Sequence, residues 1–172
     1  IVEINKVEFN KAEVKTFVEQ CITNVAQPLI IEIGEKGGIF NPTTGIYLGD
    51  NEINVLATYL AGKGYENSFL LKRDIEHELA IRINKDLDSC LNYDIFEEKG
   101  YVITDQTRTV NVAITSRDVV VKLNYPLSLQ LGSNSINIDE FISTIDVPLG
   151  ELYKVAIDIL NDEFSFLNNN YK

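Results

Sequence analysis

Two cysteines are the residues of this chain whose type is best suited to covalent chemistry. Cys21 and Cys90 each fall on the apolar stripe of a predicted long helix. A disulfide between them would close a loop of about 70 residues and stabilise the fold by roughly 4 kcal/mol. The alternative is a pair of buried free thiols, because unpaired cysteine is often buried. Two core-facing cysteines in a chain with exported character favour the disulfide, and nothing near either residue in the sequence would activate a thiol as a nucleophile.

Metal and acid–base chemistry find little support in the sequence. His77 is the only histidine, so paired-histidine metal sites are excluded, and its charged neighbours indicate a solvated position on a helix. The triplet Asn84-x-Asp86-x-Asp88 begins with the rhythm of a calcium loop but lacks the glycine and the glutamate that complete such a loop. We interpret the triplet as a solvated helix face. No metal and no cofactor are therefore predicted.

Tyrosines supply a candidate contact surface in the middle of the chain. Tyr47, Tyr59 and Tyr65 occupy a loop-rich segment, and exposed tyrosines can anchor a protein or a sugar. The alternative is that their rings cover the core of a small hairpin. Carboxylates are abundant, but no pair has a pattern that predicts general acid–base catalysis. No catalytic residue is predicted.

Composition narrows the class of protein and its partners. The 172 residues fit one domain and are 45% hydrophobic, with a net charge of −11. Such a balance, with no basic stripe, argues against nucleic acid and against anionic membrane surfaces as partners. No apolar run approaches the ~20 residues of a membrane-spanning helix, so contact with a membrane is expected only through an N-terminal anchor outside this sequence.

The first residues of the chain indicate processing and a candidate strand for exchange. The sequence contains no Met and opens with Ile1, which predicts that an N-terminal piece such as a signal peptide or an anchor has been removed. We expect residues 1–172 to form one extracytoplasmic domain, with residues 1–10 as a lead-in strand or a linker. Its apolar residues would suit a strand donated to the sheet edge of a neighbouring molecule; they are Val2, Ile4, Val7 and Phe9.

Two amphipathic helices are predicted to carry the cysteines. Apolar residues recur at steps of three and four over residues 14–33, and Pro28 is expected to kink this helix or to break it into two. A second stripe runs over residues 75–91, with Ser68 or Asn67 as the predicted N-terminal cap. Between the helices, residues 39–40 and 46–48 are predicted to form a hairpin with Pro42 and Gly45 in its turn, and residues 53–60 a third strand.

The clearest strand covers residues 119–131, where seven apolar residues all have odd numbers. That period of two defines one dry face, and Pro126 indicates an edge strand or a bulge. Strands are also predicted around residues 110–114 and 136–147, with a bulge near Asp139. A last helix is predicted to begin at Pro148 and to fray from Asn168. Its predicted inner face consists of Leu149, Leu152, Ala156, Ile159 and Leu160.

These elements predict an α+β fold. An antiparallel β-meander with one dry face must bury that face, and the amphipathic helices need the same cover, so the helices are expected to pack on the meander. The additional hairpin would form a small unit of its own.

Four stretches resemble a family of extracytoplasmic proteins of DPANN-type archaea that carry an N-terminal membrane-anchor or pilin-like helix. They are residues 14–22 (VKTFVEQCI), 37–40 (GGIF), 86–91 (DLDSCL) and 121–127 (VKLNYPL). The resemblance implies a location at the cell surface and supplies no activity or catalytic residue.

We therefore expect a non-enzymatic protein of the cell envelope, acting as a structural or adhesive module and in one form as a filament or sheath subunit. Its partners would be other copies of itself or envelope proteins. A second hypothesis is an extracytoplasmic accessory protein that binds a small ligand or a glycan through the tyrosine segment. A carboxylate-based hydrolase is the remaining alternative.

Overall fold

The computed structural model describes residues 11–61 and 63–170 and confirms the α+β class. The candidate donor strand with Val2, Ile4, Val7 and Phe9 lies outside the described residues. The helices are α1 (Lys11–Glu35), α2 (Lys72–Asp86), α3 (Asp94–Glu97) and α4 (Leu149–Asn170), with a 3-10 turn at Leu87–Ser89. The strands are β1 (Gly45–Leu48), β2 (Asn51–Asn54), β3 (Ala57–Leu60), β4 (Gly64–Asn67), β5 (Tyr101–Asp105), β6 (Thr109–Ile114), β7 (Val119–Leu131) and β8 (Asn134–Ile145).

Strand β7 is the centre of the main sheet and has the bounds predicted from its period. It pairs antiparallel with β8 along its whole length. On its other side β6 covers the first half of β7 and β5 covers the second half. The odd-numbered side chains from Val119 to Leu129 are buried, so one face of this strand supplies much of the core.

Pro126 lies at a bulge and not at a sheet edge. The register with β8 shifts between Asn124 and Leu127, so that Tyr125 and Pro126 together oppose Asp139. Proline has no N–H for the ladder, and a bulge is one of the few sheet positions that tolerates it. The bulge predicted near Asp139 is therefore confirmed, whereas the edge alternative is wrong because β7 is paired on both sides.

Helix α1 continues through Pro28 as one element, so the predicted break is wrong. Pro28 lies on the exposed side of the helix, where water can reach the carbonyl group that loses its partner. The opposite side is dry: Val18 and Ile22 are fully buried against the sheet. Burial of that stripe holds the helix together across the missing hydrogen bond.

Helix α2 covers one edge of the sheet with two charged side chains. The Glu76 carboxylate accepts a hydrogen bond from the Ile114 backbone N–H at 2.9 Å, and Lys72 Nζ donates to the Ile114 carbonyl at 2.9 Å. Lys72 and Glu76 also form an ion pair of 3.7 Å. Ile114 is buried and ends β6, so both of its backbone polar groups are satisfied by a helix and not by another strand.

Helix α1 contacts the opposite edge of the main sheet, strand β8, in the same way. The Glu19 carboxylate accepts a hydrogen bond from the Ile142 backbone N–H of β8 at 3.2 Å. Next to it, the buried Ser143 hydroxyl donates to the Glu19 carbonyl at 3.2 Å and lies 2.5 Å from the Thr23 hydroxyl. An exposed strand edge is a template for unwanted pairing, and each glutamate occupies one backbone N–H of such an edge.

The turn after α1 requires glycine. Gly37 and Gly38 both have positive φ, and the Gly38 N–H bonds to the Ile33 carbonyl at 2.8 Å, which ends the helix. A Cβ on Gly38 would lie only 3.2 Å from side-chain atoms of both Leu70 and Ile75. Gly38 therefore combines a left-handed backbone with a close approach to the start of α2.

The middle of the chain forms two hairpins, and both lie further along the chain than the predicted one. Strand β1 pairs with β2 around Gly49, whose φ is +64°, and β3 pairs with β4. The predicted pairing through Gly45 is wrong because Phe40 is buried in the core and unavailable to a hairpin. Helix α2 is capped at Leu71, whose N–H bonds to Asp74. The predicted caps are wrong, since Asn67 ends β4 and Ser68 precedes the helix.

We predict that Glu76→Ala lowers the free energy of unfolding by about 1–3 kcal/mol, because a buried strand end loses a charged acceptor. Urea denaturation with a fluorescence or circular-dichroism readout measures the change. Glu78→Ala on the same helix is the matched control, since no hydrogen bond or ion pair is seen for Glu78 among the described residues. Equal stability of the two variants would contradict the role of Glu76.

Candidate functional site

The two cysteines form a disulfide. Cys21 is buried on α1, Cys90 directly follows the 3-10 turn after α2, and their Cα atoms are 5.8 Å apart. That separation is normal for a disulfide. Cys90 is predicted to lie on a long helix, but in the structure it lies just after the 3-10 turn that follows α2. The bond ties α1 to the chain that leaves α2. Disulfides persist in oxidising compartments, so the bond points to such a setting.

The structure brings together two of the three predicted contact tyrosines. Tyr59 and Tyr65 are directly opposite each other on β3 and β4, with ring centroids 5.1 Å apart. Tyr47 lies on the other hairpin and is 74% exposed. The predicted surface is thus a tyrosine pair on one hairpin and a separate exposed ring on another.

Arg108, which the sequence did not single out, holds the end of α2. Its Nη2 donates to the Asn84 carbonyl and to Asp88 Oδ1, each at 2.6 Å, and its Nε donates to the Asn84 side chain at 3.1 Å. Asp88 is exposed, as predicted for a solvated helix face, whereas Asn84 is half-buried and bound by Arg108. Asp86 pairs with Arg82 instead. One arginine thereby binds a carbonyl in the last turn of α2, where intrahelical donors run out.

A buried tyrosine pair adjoins this arginine. The Arg108 guanidinium lies 5.9 Å from the centre of the Tyr125 ring, and the Tyr125 hydroxyl donates a hydrogen bond to Asp105. Burial is the main cause that raises the pKa of Tyr125 to about 12, and the hydrogen bond to Asp105 adds to it. Tyr93 lies close by, and burial raises its pKa too, followed by the proximity of Tyr125. The Tyr93 hydroxyl has no hydrogen-bond partner among the described residues.

The cluster has the features of a structural support and not of a catalytic centre. A general base needs a pKa near the working pH, whereas both tyrosines are pushed away from neutrality by burial. The Tyr93 ring packs against Phe17 of α1, with ring centroids 6.0 Å apart, and the Tyr125 ring faces the arginine. Neither cavity seen in the described residues includes Tyr93, Tyr125 or Arg108 in its walls.

Helix α4 docks on the body through a different side from the predicted one. Tyr153 donates a hydrogen bond to the Leu70 carbonyl at 3.1 Å, and the Phe164 and Phe69 rings meet edge to face at 5.5 Å. Leu149 is buried beside the turn after α1. The helix extends to Asn170, and residues 171–172 lie outside the described residues, so the fraying predicted from Asn168 stays a prediction.

The predicted inner face of α4 is wrong at three of its members, because Leu152, Ala156 and Ile159 are all exposed. Leu152 and Ile159 are 59% and 57% exposed, and Val155, one helical step away, is 50% exposed. These three residues are spaced by three and four and therefore lie on one side of the helix. We call Leu152, Val155 and Ile159 the outer face. Phe166, also exposed, continues the same line.

A cavity of about 250 Å³ lies between α4 and the body. Its walls come from the end of α1, the turn at Gly37 and Gly38, the start of α2 and α4. All of its lining residues are apolar or glycine except Tyr153, whose hydroxyl is already bonded to Leu70. Leu152 and Ala156 belong both to the wall and to the exposed surface, so the cavity opens beside the outer face.

The described residues contain no group of three or more His, Cys, Asp or Glu side chains arranged to hold a metal ion. The search of the same residues for a helix long and apolar enough to cross a membrane found none. His77 is exposed on α2, as predicted. The lining of the cavity beneath α4 contains no carboxylate, so the pair of converging acids that a glycosidase-type hydrolase needs is not in that cavity.

No protein-family model, curated protein or solved structure matches the chain. The resemblance to archaeal extracytoplasmic proteins thus stays a prediction, and the function has to be argued from the geometry.

We predict that removal of the disulfide in a Cys21→Ser, Cys90→Ser double variant lowers the free energy of unfolding by about 4 kcal/mol, because the 69-residue separation leaves a long loop unconstrained in the unfolded state. Urea denaturation measures the loss. Dithiothreitol should destabilise the wild type by a similar amount and leave the double variant unchanged. Alkylation of two thiols in the native, unreduced protein would contradict the bond.

We predict a stability loss at high pH that depends on Tyr125. The folded state holds the Tyr125 proton more tightly than the unfolded state, so this contribution is complete below pH 10 and is lost as the pH rises towards 12. Urea midpoints between pH 9 and pH 12 should therefore fall more steeply for the wild type than for Tyr125→Phe. Tyr47→Phe is the control, because its ring is exposed, and it should follow the wild type. Parallel curves for wild type and Tyr125→Phe would contradict the assignment.

Proposed function

We propose that this domain is a non-enzymatic contact module of the cell exterior that binds another envelope protein through the outer face of α4. The single observation that carries the proposal is the row of three large apolar side chains, Leu152, Val155 and Ile159, each at least half exposed on one side of a long helix. Single exposed apolar residues need no explanation, but aligned ones on a helix are typical of a protein interface.

The geometry of α4 supports a protein partner. The 22-residue helix spans about 33 Å at 1.5 Å per residue, which is long enough to present several turns to another helix or to a groove. The inner side of α4 is occupied by the body through Tyr153 and Phe164. The remaining apolar side is thus left for a partner.

Two observations support the exterior location. The Cys21–Cys90 disulfide is typical of proteins in oxidising compartments. The chain is also strongly acidic, with a net charge of −11, which favours solubility and discourages association with anionic surfaces. The proposal of a structural or adhesive role at the cell envelope follows from these two properties together with the outer face.

The tyrosine-bearing hairpins favour a second candidate, the binding of a glycan. Tyr59 is more than half exposed beside Tyr65, and aromatic rings can stack on a sugar. The cavity beneath α4 would not serve such a ligand, because its lining offers no free polar group. A glycan site would therefore have to lie on the hairpins.

Site-specific photocrosslinking in the cells that produce the protein tests the proposal. A photoreactive benzoylphenylalanine replacing Ile159 should give an adduct of one discrete mass with an envelope protein. The same group replacing Asn161, an exposed residue about 200° around α4 from Ile159, should give none. Crosslinks of equal yield at the two positions, or at neither, would overturn the outer face as the contact surface. An adduct at twice the mass of the chain would replace the envelope protein by a second copy.

A further inference from the structure

A line of three carboxylates forms one border of the outer face of α4, which we call the acidic border. Glu151, Asp158 and Asp162 are exposed and follow one another at steps of seven and four, so they form a line along the helix directly beside Val155. Asp158 is paired with Lys154 at 2.5 Å. Helix α4 carries four carboxylates and one lysine, a net charge of −3.

The other border of the outer face carries the cavity wall and one carboxylate. Ala156 lies on this side, exposed and at the same time part of the cavity wall. Glu163, also exposed, follows Ile159 by four residues and Ala156 by seven, so it lies on this border about two turns beyond Ala156. A partner that lies along α4 would therefore meet a line of carboxylates on one side, and an apolar opening followed by one carboxylate on the other.

We propose that the partner segment is a basic amphipathic helix whose apolar side lies on the outer face and whose largest apolar side chain enters the cavity. This inference rests on the proposed function and adds the chemistry of the partner. Lysine or arginine on one flank of the segment would lie opposite Glu151 and Asp162, and complementary charge of this kind sets specificity and association rate. The cavity of about 250 Å³ has room for one large side chain and not for a polar ligand.

The charge of the chain disfavours two other binding partners for the outer face, a second copy of the chain and an anionic membrane. A second copy would bring another acidic chain of net charge −11 to the same face, and an antiparallel pairing of two α4 helices would place the acidic borders side by side. An anionic membrane would be repelled by the same carboxylates. A basic helix is attracted by the same carboxylates that repel a second copy and an anionic membrane.

The absence of tryptophan from the chain allows a direct test with designed peptides on the intact, disulfide-bonded domain. The probe is an 18-residue Leu/Lys amphipathic peptide with one central Trp on its apolar side. On binding, its Trp emission should shift to the blue because the ring enters the cavity. The Kd should rise with salt, since screening weakens the contact with the acidic border.

Variants and control peptides separate the parts of the inference. Ile159→Asn should raise the Kd at least tenfold, whereas Asn161→Ser, at an exposed residue about 200° around α4 from Ile159, should leave it unchanged. Asp162→Asn should raise the Kd severalfold and flatten its salt dependence. A Leu/Glu peptide and a scrambled Leu/Lys peptide of equal composition should bind at least tenfold more weakly than the probe.

Each contrary result overturns a stated part. Equal binding of the Leu/Lys and Leu/Glu peptides would refute the acidic border, and binding without a blue shift would refute entry of the anchor into the cavity. Tighter binding to phosphatidylcholine vesicles than to the peptide, or dimerisation in sedimentation velocity at micromolar concentration, would replace the basic helix by a membrane or by a second copy. Failure of the peptide alongside successful crosslinking from position 159 would refute this inference and leave the proposed function standing.

Discussion

Glu19 on α1 and Glu76 on α2 accept hydrogen bonds from backbone N–H groups at opposite edges of the main sheet. Hydrophobic burial brings the helices to the sheet, but burial has no direction and does not specify where along a strand a helix lies. A carboxylate that must accept a hydrogen bond from one particular backbone N–H does specify where along the strand its helix lies. Each glutamate therefore fixes the position of its helix along a strand and at the same time satisfies one backbone N–H of an edge strand.

Helix α4 is attached by other means, and this difference leaves it available for a partner. Its ties to the body are the Tyr153 hydrogen bond to the Leu70 carbonyl, the contact of Phe164 with Phe69, and a close approach at Gly150, where a Cβ would come within 2.1 Å of the Thr115 carbonyl oxygen. These contacts hold the start and the inner side of the helix. They leave an apolar side in solvent.

Prediction from the sequence was most accurate for strands in which apolar residues alternate with polar ones and one face is buried. The alternation in β7 predicted its bounds, and Pro126 in the same strand predicted a bulge, because a period of two leaves little freedom. Helix α4 was harder, since its apolar residues cover more than half of the circumference and the pattern does not say which part meets the body. Leu152 was assigned inward for that reason. Arg108 has no periodic signal at all: it acts across 24 residues of chain on the carbonyl of Asn84.

An exposed apolar helix side would normally be a risk of aggregation, and the charge of this chain counters that risk. Every copy carries a net charge of −11 and brings acidic residues such as Glu151 and Asp162 to the border of the apolar side. Two copies that approach through α4 therefore repel each other before the apolar residues meet, whereas a basic segment is drawn to the same place. If the partner is the proposed basic segment, the same carboxylates attract it and oppose the approach of a second copy.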